Sequence, residues 1–354
     1  MKLDNTLTRF RSDFEVTLAI FLDSLQPSVE RIGRSALAAF QGIREFSLQK
    51  GKRLRPFLMF LTYKGYGGQS HSEIMKACCS IELMQSFLLI SDDVMDNSDL
   101  RRGSPTLHKR FQSGYEHLGS TNASHMGKSL AILASDIAMS YGAMAIARTQ
   151  FPPERIVQAL DFYFEIVADE GYGQLLDMEA ETGTNLNEQD VLKIYQYKTT
   201  RYTIEGPMHL GAVLAGSGEQ ELDTLSTFAA PAGNIYQLQD DILGLFGDEE
   251  KIGKPVDSDV KEGKQTLLIK RTLESATDSD LKKIQRALGD DNLTPGQLSE
   301  VQNIVRSCGA LDYAKDKIED WANECRTALS PSSLSSDAKQ LLIEYVEYLT
   351  GREY

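Results

Sequence analysis

The chain has 354 residues, 41% of them hydrophobic and 25% charged, enough for one large domain or two ordinary ones with a real core. Its formal net charge of −14 repels nucleic acid, so no partner of that class is expected, and an anionic ligand would need local cations or metal ions. The four cysteines, Cys78, Cys79, Cys308 and Cys325, lack metal-binding spacing and read as free thiols of a reducing compartment.

The N-terminal stretch "MKLDNTLTRFRSDFEV" lacks the apolar run of a secretory signal, and a cytoplasmic protein is expected. "GKRLRP" places Lys52, Arg53 and Arg55 at a helix start, where backbone N–H groups also favour anions. Ser70 reads as the N-cap of a long helix whose apolar residues recur at three- and four-residue spacing through "SEIMKACCSIELMQSFLLISDDVMD". "LAILASDIAMSYGAMAIA" is interrupted by Asp136 and reads as a buried helix rather than a membrane span. Pro152 and Pro153 open another helix, and Asn187 caps the next. "LDTLSTFAAPAGNIYQLQDDILGLFGD" is again helical, and from about Asp278 the chain becomes more charged, as outer helices are. Strand alternation and Asn-Gly hairpin turns are missing, and so are long linkers and repeats. The expectation is a single all-α domain over residues 1–354, with about ten or more helices.

Two acidic clusters carry the chemistry. Asp92, Asp93 and Asp96 close the long apolar helix, with Asp92 and Asp96 four apart on one face. A helix C-terminus disfavours such charge, and the preceding "SFLLI" is too apolar for a solvated face. The second cluster, Asp240-Asp241, lies near the end of another apolar stretch, and Asp248 follows. Two such helices across a bundle would hold magnesium through oxygen ligands, leaving positions for water and substrate phosphates. Cations for those phosphates are at hand: Arg101 and Arg102 after the first cluster, Lys198 beside Thr199 in "YKTTRYT", and Lys254 and Lys264 in "GKPVDSDVKEGKQT". The histidines form no triad or metal set, and His108 and His209 read as structural.

The ordered set "GKRLRP", "DDVMDNSDLRRGSPT", "GQLLDME", "YKTTRYT", "YQLQDDILGLFGD" and "GKPVDSDVKEGKQT" resembles the trans-isoprenyl diphosphate synthases, the polyprenyl synthetases. The resemblance runs from about Gly51 to Thr266. It implies an isoprenoid-synthase-type helical bundle around a central cavity, in a homodimer. It implies that Asp92, Asp93 and Asp96, with the second motif from Asp240, hold three Mg²⁺ and through them an allylic diphosphate; Asp92, Asp96, Asp240 and Asp241 are the metal ligands expected. Arg101, Lys198 and Lys254 would touch that diphosphate. Lys52, Arg55, Gln85 and Arg102 would bind isopentenyl diphosphate, Thr199 and Gln237 would flank the reacting carbon, and Lys264 is a looser match. Gln174 and Asp177 match polar groups near the metals.

Three positions depart from common forms of that family: Gly244 stands for a third aspartate of the second motif, Ser91 for a histidine, and Ser135-Asp136 for Gly-Asp. Product length in such enzymes depends on what blocks the cavity below the first motif, here Phe87 with Leu88 and Met84 as neighbours. An aromatic Phe87 beside a non-aromatic Leu88 resembles the geranylgeranyl diphosphate synthases of archaeal type, with farnesyl or longer-chain products as alternatives. A class I terpene cyclase would not need "GKRLRP" or Gln85, and a non-catalytic partner subunit would lack aspartates that this chain keeps.

Overall fold

Eight buried apolar positions in α1 (Lys2–Glu30), from Leu3 to Val29, recur at helical spacing and give it one core-facing stripe. The computed structural model describes residues 2–101, 103–181, 186–248 and 256–351. They fall into two compact units, Met1–Tyr163 with Pro207–Ser217, and Phe164–Gly206 with Gly218–Tyr354.

In the first unit α4 (His71–Met95) is buried on nearly every side, as its run of Ala, Cys, Ile, Leu and Met requires. It packs on α1, α2 (Arg34–Ser47), α3 (Leu54–Gly65) and α6 (Ala123–Ala147), and α5 (Leu107–His117) lies on α6. Ile43, Phe46, Ile90, Leu107, Ala131, Ala134 and Ala138 form one core cluster, with Phe87, Leu89 and Phe111 packed against it. The expectation of a buried α6 is only half met. Ala131, Ala134 and Ala138 face inward, while Ile132 and Leu133 are 49% and 57% exposed. By length and composition α4 and α6 are long and apolar enough to cross a membrane, as core helices can be; 72% of the apolar window of α4 is buried by the chain itself, but only 39% of that of α6. The sequence shows no strand, yet β1 (Leu100–Arg101) pairs antiparallel with β2 (Ser104–Pro105), a pair too short to alternate.

The helix α7 (Pro153–Glu181) begins at the predicted proline and contributes its later turns to the second unit. Asn187 and Asp190 form the capping box that starts α8 (Glu188–Ile194). From there the backbone widens into a π-helical segment, Tyr195–Glu205, before α9 (Gly206–Ala215). Within this unit α10 (Glu219–Phe246) packs against the π-helical segment, α15 (Ala310–Ala328) and α16 (Ser336–Thr350). Between them in sequence come α11 (Ser258–Lys261), α12 (Leu267–Ser275), α13 (Asp278–Ala287) and α14 (Pro295–Ser307). Hydroxyls of Thr266, Thr277 and Thr294 cap the last three of these by accepting a backbone N–H. Two glycines let the wide segment approach its neighbours. A Cβ on Gly173 of α7 would lie 2.2 Å from the Lys198 backbone nitrogen, and one on Gly233 of α10 would lie 2.0 Å from Thr200 Oγ1.

Candidate active site

The first acidic cluster sits where α4 ends. Asp96 is its C-cap, with its N–H on the Asp92 carbonyl at 2.9 Å, and Asn97 turns the chain away at φ +51°. Thr106 closes the loop, its hydroxyl on the Ser98 carbonyl (2.8 Å) and its N–H on that of Asp99 (3.0 Å). The β1–β2 hairpin thereby returns Arg101 onto the helix end. Arg101 Nε donates to Asp93 Oδ1 at 2.6 Å and Nη2 to Asp92 Oδ2 at 3.0 Å. Asp93 is buried, and burial pushes its carboxyl up to about 6 against the pull of Arg101. Its Oδ2 is buried without a hydrogen-bond partner. Asp92 is half-buried and Asp96 exposed, so this helix end presents carboxylate oxygen to incoming ligand.

Upstream, the "GKRLRP" turn divides its cations. Lys52 is exposed and Arg55 half-buried. Arg53, expected from the sequence among the phosphate-binding cations, is instead 4% exposed. Its guanidinium bonds the Glu82 carboxylate of α4, donates to the Gln49 carbonyl at 2.7 Å and approaches Glu15 at 3.8 Å. Arg53 is also the N-cap of α3 with φ +54°, a left-handed conformation that costs a non-glycine residue about 1–3 kcal/mol. Gln85 lies one helical turn beyond Glu82 and is half-buried. Of the chain-length residues, Met84 and Leu88 are buried and Phe87 packs half-buried on the core cluster. His108 is buried against the Thr106 hydroxyl at 3.1 Å, and burial lowers its pKa; His209 is buried with its ring edge-on to Phe162. Both are core residues, as expected. Ser135 is buried and turned onto the Ile132 carbonyl of its own helix.

The second unit gathers the other motifs around the π-helical segment. Lys198 is bonded to the Asp177 carboxylate of α7, which also carries the buried Gln174. Thr199 Oγ1 donates to Gln237 Oε1 at 2.6 Å, Gln237 Nε2 donates to Asp241 Oδ1 at 2.9 Å, and the Tyr195 hydroxyl donates to the other Asp241 oxygen. Tyr195 also accepts the Leu267 N–H at 3.2 Å. Burial pushes Asp241 up to about 7 even though Tyr195 and Gln237 donate to it. Both Asp241 oxygens are thus engaged within the protein, whereas Asp240 is only half-buried. Burial works against the charge on Lys264, but Glu262, 2.7 Å away, and Asp259 more than offset it and raise its pKa. Asp259 also sits at Gly244: its Oδ2 is 2.3 Å from where a Cβ of residue 244 would be, so a carboxylate fills the space left by the missing third aspartate. Asp248 is exposed. Arg102 and Lys254 lie outside the described residues.

Among the described residues, no three Asp, Glu, His or Cys side chains converge as a preformed metal nest. The donor set is nonetheless all oxygen, with an unpartnered buried Asp93 oxygen beside Asp92, and this is the chemistry that suits Mg²⁺ rather than a softer metal. Sequence reasoning did not find Tyr195, Asp259 or Glu82. Only Glu82 leaves a signal, an acid set in the apolar middle of a long helix.

A model of the polyprenyl synthetase family matches residues 39–305. The chain is similar to a geranylgeranyl diphosphate synthase of Sulfolobus acidocaldarius, with 32% identity over 304 residues, 85% of this chain and 87% of that protein. It is similar to a geranylfarnesyl diphosphate synthase of Aeropyrum pernix, with 30% identity over 309 residues, 85% of this chain and 90% of that one. A crystal structure of a geranylgeranyl pyrophosphate synthase from Corynebacterium glutamicum, complexed with isoprenyl diphosphate and magnesium, superposes with a TM-score of 0.92 at 28% identity, over 98% of this chain and 99% of that one.

Proposed function

The chain belongs to the polyprenyl synthetase family, and from that premise we propose how its residues carry out head-to-tail trans-prenyl transfer. The enzyme condenses isopentenyl diphosphate with an allylic diphosphate to make geranylgeranyl diphosphate. A geranylfarnesyl product is the second reading, favoured by the likeness to the Aeropyrum pernix enzyme. The observation that carries the site assignment is Arg101 folded back onto Asp92 and Asp93, which joins carboxylates fit for a metal to a cation fit for diphosphate.

Asp92 and Asp96 would hold magnesium at the end of α4 and Asp240 would hold it near the end of α10, with three ions in all as our reading of the two acidic motifs. Magnesium held there would supply Lewis-acid stabilisation of the charge that grows on the leaving diphosphate. Arg101 and Lys198 would each bind substrate diphosphate, as would Lys254, with Lys264 in support. Each of the first two enters already paired, Arg101 with Asp92 and Asp93 and Lys198 with Asp177, so these cations are held aimed before substrate arrives. Lys52, Arg55, Gln85 and Arg102 bind isopentenyl diphosphate. Thr199 and Gln237 offer neutral oxygens to the allylic cation, and Asp241 holds the Gln237 amide so that its oxygen faces Thr199. The isopentenyl double bond attacks that cation, and the proton lost afterwards passes to the released diphosphate. Phe87, with Met84 and Leu88, forms the floor that stops growth at twenty carbons. We read the enzyme as a cytoplasmic homodimer and the whole chain as one polyprenyl synthetase domain; the structural likeness over 98% of the chain supports the last of these readings.

The test is incorporation of labelled isopentenyl diphosphate into dimethylallyl, geranyl or farnesyl diphosphate with Mg²⁺, with products dephosphorylated and sized by chromatography. A dominant twenty-carbon alcohol is expected. No incorporation by folded protein with any primer would overturn the reading in favour of a non-catalytic partner subunit.

A further inference from the structure

Three cations cluster in "GKRLRP", and the middle one is turned away from solvent. Lys52 is exposed and Arg55 half-buried, whereas Arg53 is 4% exposed and faces Glu82, itself 4% exposed. A buried arginine keeps its charge, so Glu82 is the counter-ion that makes its burial tolerable. The pair ties together two elements that each carry part of one pocket. Arg53 is flanked by Lys52 and Arg55, and Glu82 stands one turn before Gln85 on α4, on the same face of the helix. The Gln49 carbonyl takes a second arm of the guanidinium, which anchors the chain just before the turn as well. The left-handed Arg53 backbone sends its own side chain inward between neighbours that remain outside, a strained conformation held by these bonds.

We infer that the buried Arg53–Glu82 pair is the positioning device of the isopentenyl diphosphate pocket: it fixes Lys52 and Arg55 relative to Gln85 without touching substrate itself. The inference rests on the assignment of Lys52, Arg55 and Gln85 to that pocket. Its chemistry is geometric. A diphosphate gripped by several donors on separate elements depends on their relative placement, so a loop free to shift by about an ångström loses their joint grip. The allylic site draws on Asp92, Asp96 and Arg101, which the pair does not contact, and should be spared.

The test compares Arg53→Lys, which keeps charge but loses the planar fork, with the double variant Arg53→Met/Glu82→Leu, which fills the space with apolar groups. Steady-state kinetics with labelled isopentenyl diphosphate and thermal unfolding are measured on each. The double variant is expected to unfold within a few degrees of wild type while its KM for isopentenyl diphosphate rises about tenfold or more, with the KM for the allylic substrate and kcat little changed. Arg53→Lys should show the same selective rise, smaller in size. If either variant folds and keeps the wild-type KM for isopentenyl diphosphate, the pair is merely structural and the inference fails. Equal loss for both substrates would also overturn it. Should the double variant not fold, Arg53→Lys alone decides between these outcomes. Wild-type enzyme that incorporates no isopentenyl diphosphate at all would sink the functional assignment instead, a result separable from any behaviour of the variants.

Discussion

Asp92 and Asp241 are both carboxylates of aspartate-rich motifs, yet their surroundings give them different work. Asp92 is half-buried and shares Arg101 with Asp93. Asp92→Ala should lower kcat by about 10²–10³, the usual loss when one element of transition-state charge stabilisation is removed, with the KM for isopentenyl diphosphate largely preserved; labelled incorporation measures both. Asp241 is enclosed, with Tyr195 and Gln237 on its two oxygens. Because burial raises its folded-state pKa to about 7, the folded chain holds a proton there that the unfolded chain releases near pH 4. Its contribution to stability is therefore fully present below that pH and fades as pH rises toward 7. In chelator-treated protein, the melting temperature of wild type should fall relative to that of Asp241→Asn across this window; parallel profiles would show that Asp241 does not titrate there.

Helix α4 carries two of the proposed roles along one rod. Its upper turns hold Asp92 and Asp93, and Phe87, Leu88 and Met84 lie one to two turns below. Phe87→Ala should shift the product from twenty carbons to twenty-five or more, read by chromatography of the dephosphorylated prenols; an unchanged product moves the floor to other residues. The π-helical segment makes a different demand on its neighbours. Gly173→Ala would drive a methyl group into the Lys198 backbone, which cannot yield as a side-chain tip can. A loss of about 1–3 kcal/mol is expected by analogy with other overpacked sites, with a lower kcat because Lys198 and Thr199 move with their backbone. Denaturant unfolding and turnover on the same preparation would show both.

Across the whole molecule, helices read well from sequence because their signals are local. The Asn187 capping box and the proline start of α7 are dictated by neighbouring residues. The acidic motifs, too, announce themselves as like charges at the end of an apolar helix. What stays hidden depends on long-range partners. Arg53 looks like its neighbours Lys52 and Arg55 until Glu82 takes it inward, and Gly244 looks like a lost ligand until Asp259 is seen in its space. The π-helical segment is equally illegible, since "YQYKTTRYTIE" offers no local reason to widen and its packing glycines lie on other helices. The apolar face of α6 is a further case. Ile132 and Leu133 fit the buried helix read from sequence only if something outside the single chain covers them. Sedimentation should give about twice the 39.4 kDa chain mass, and Leu133→Lys should shift the protein toward monomer; monomeric wild type would remove the homodimer.

The segment Tyr195–Glu205 also limits how this gene can change in length. A helix that bonds each residue to the fifth along accommodates a residue that an α-helix would not. Deleting one codon there would leave a helix able to relax into ordinary α geometry, with no chain break and little loss of helical content. It would nonetheless rotate Lys198 and Thr199 out of line with Asp177 and Gln237. Loops elsewhere, such as the glycine-bearing connection before Glu219, can gain or lose residues and keep their ends in place. This stretch cannot, so in-frame deletions between Tyr195 and Glu205 should be purged even when each leaves a soluble, helical protein.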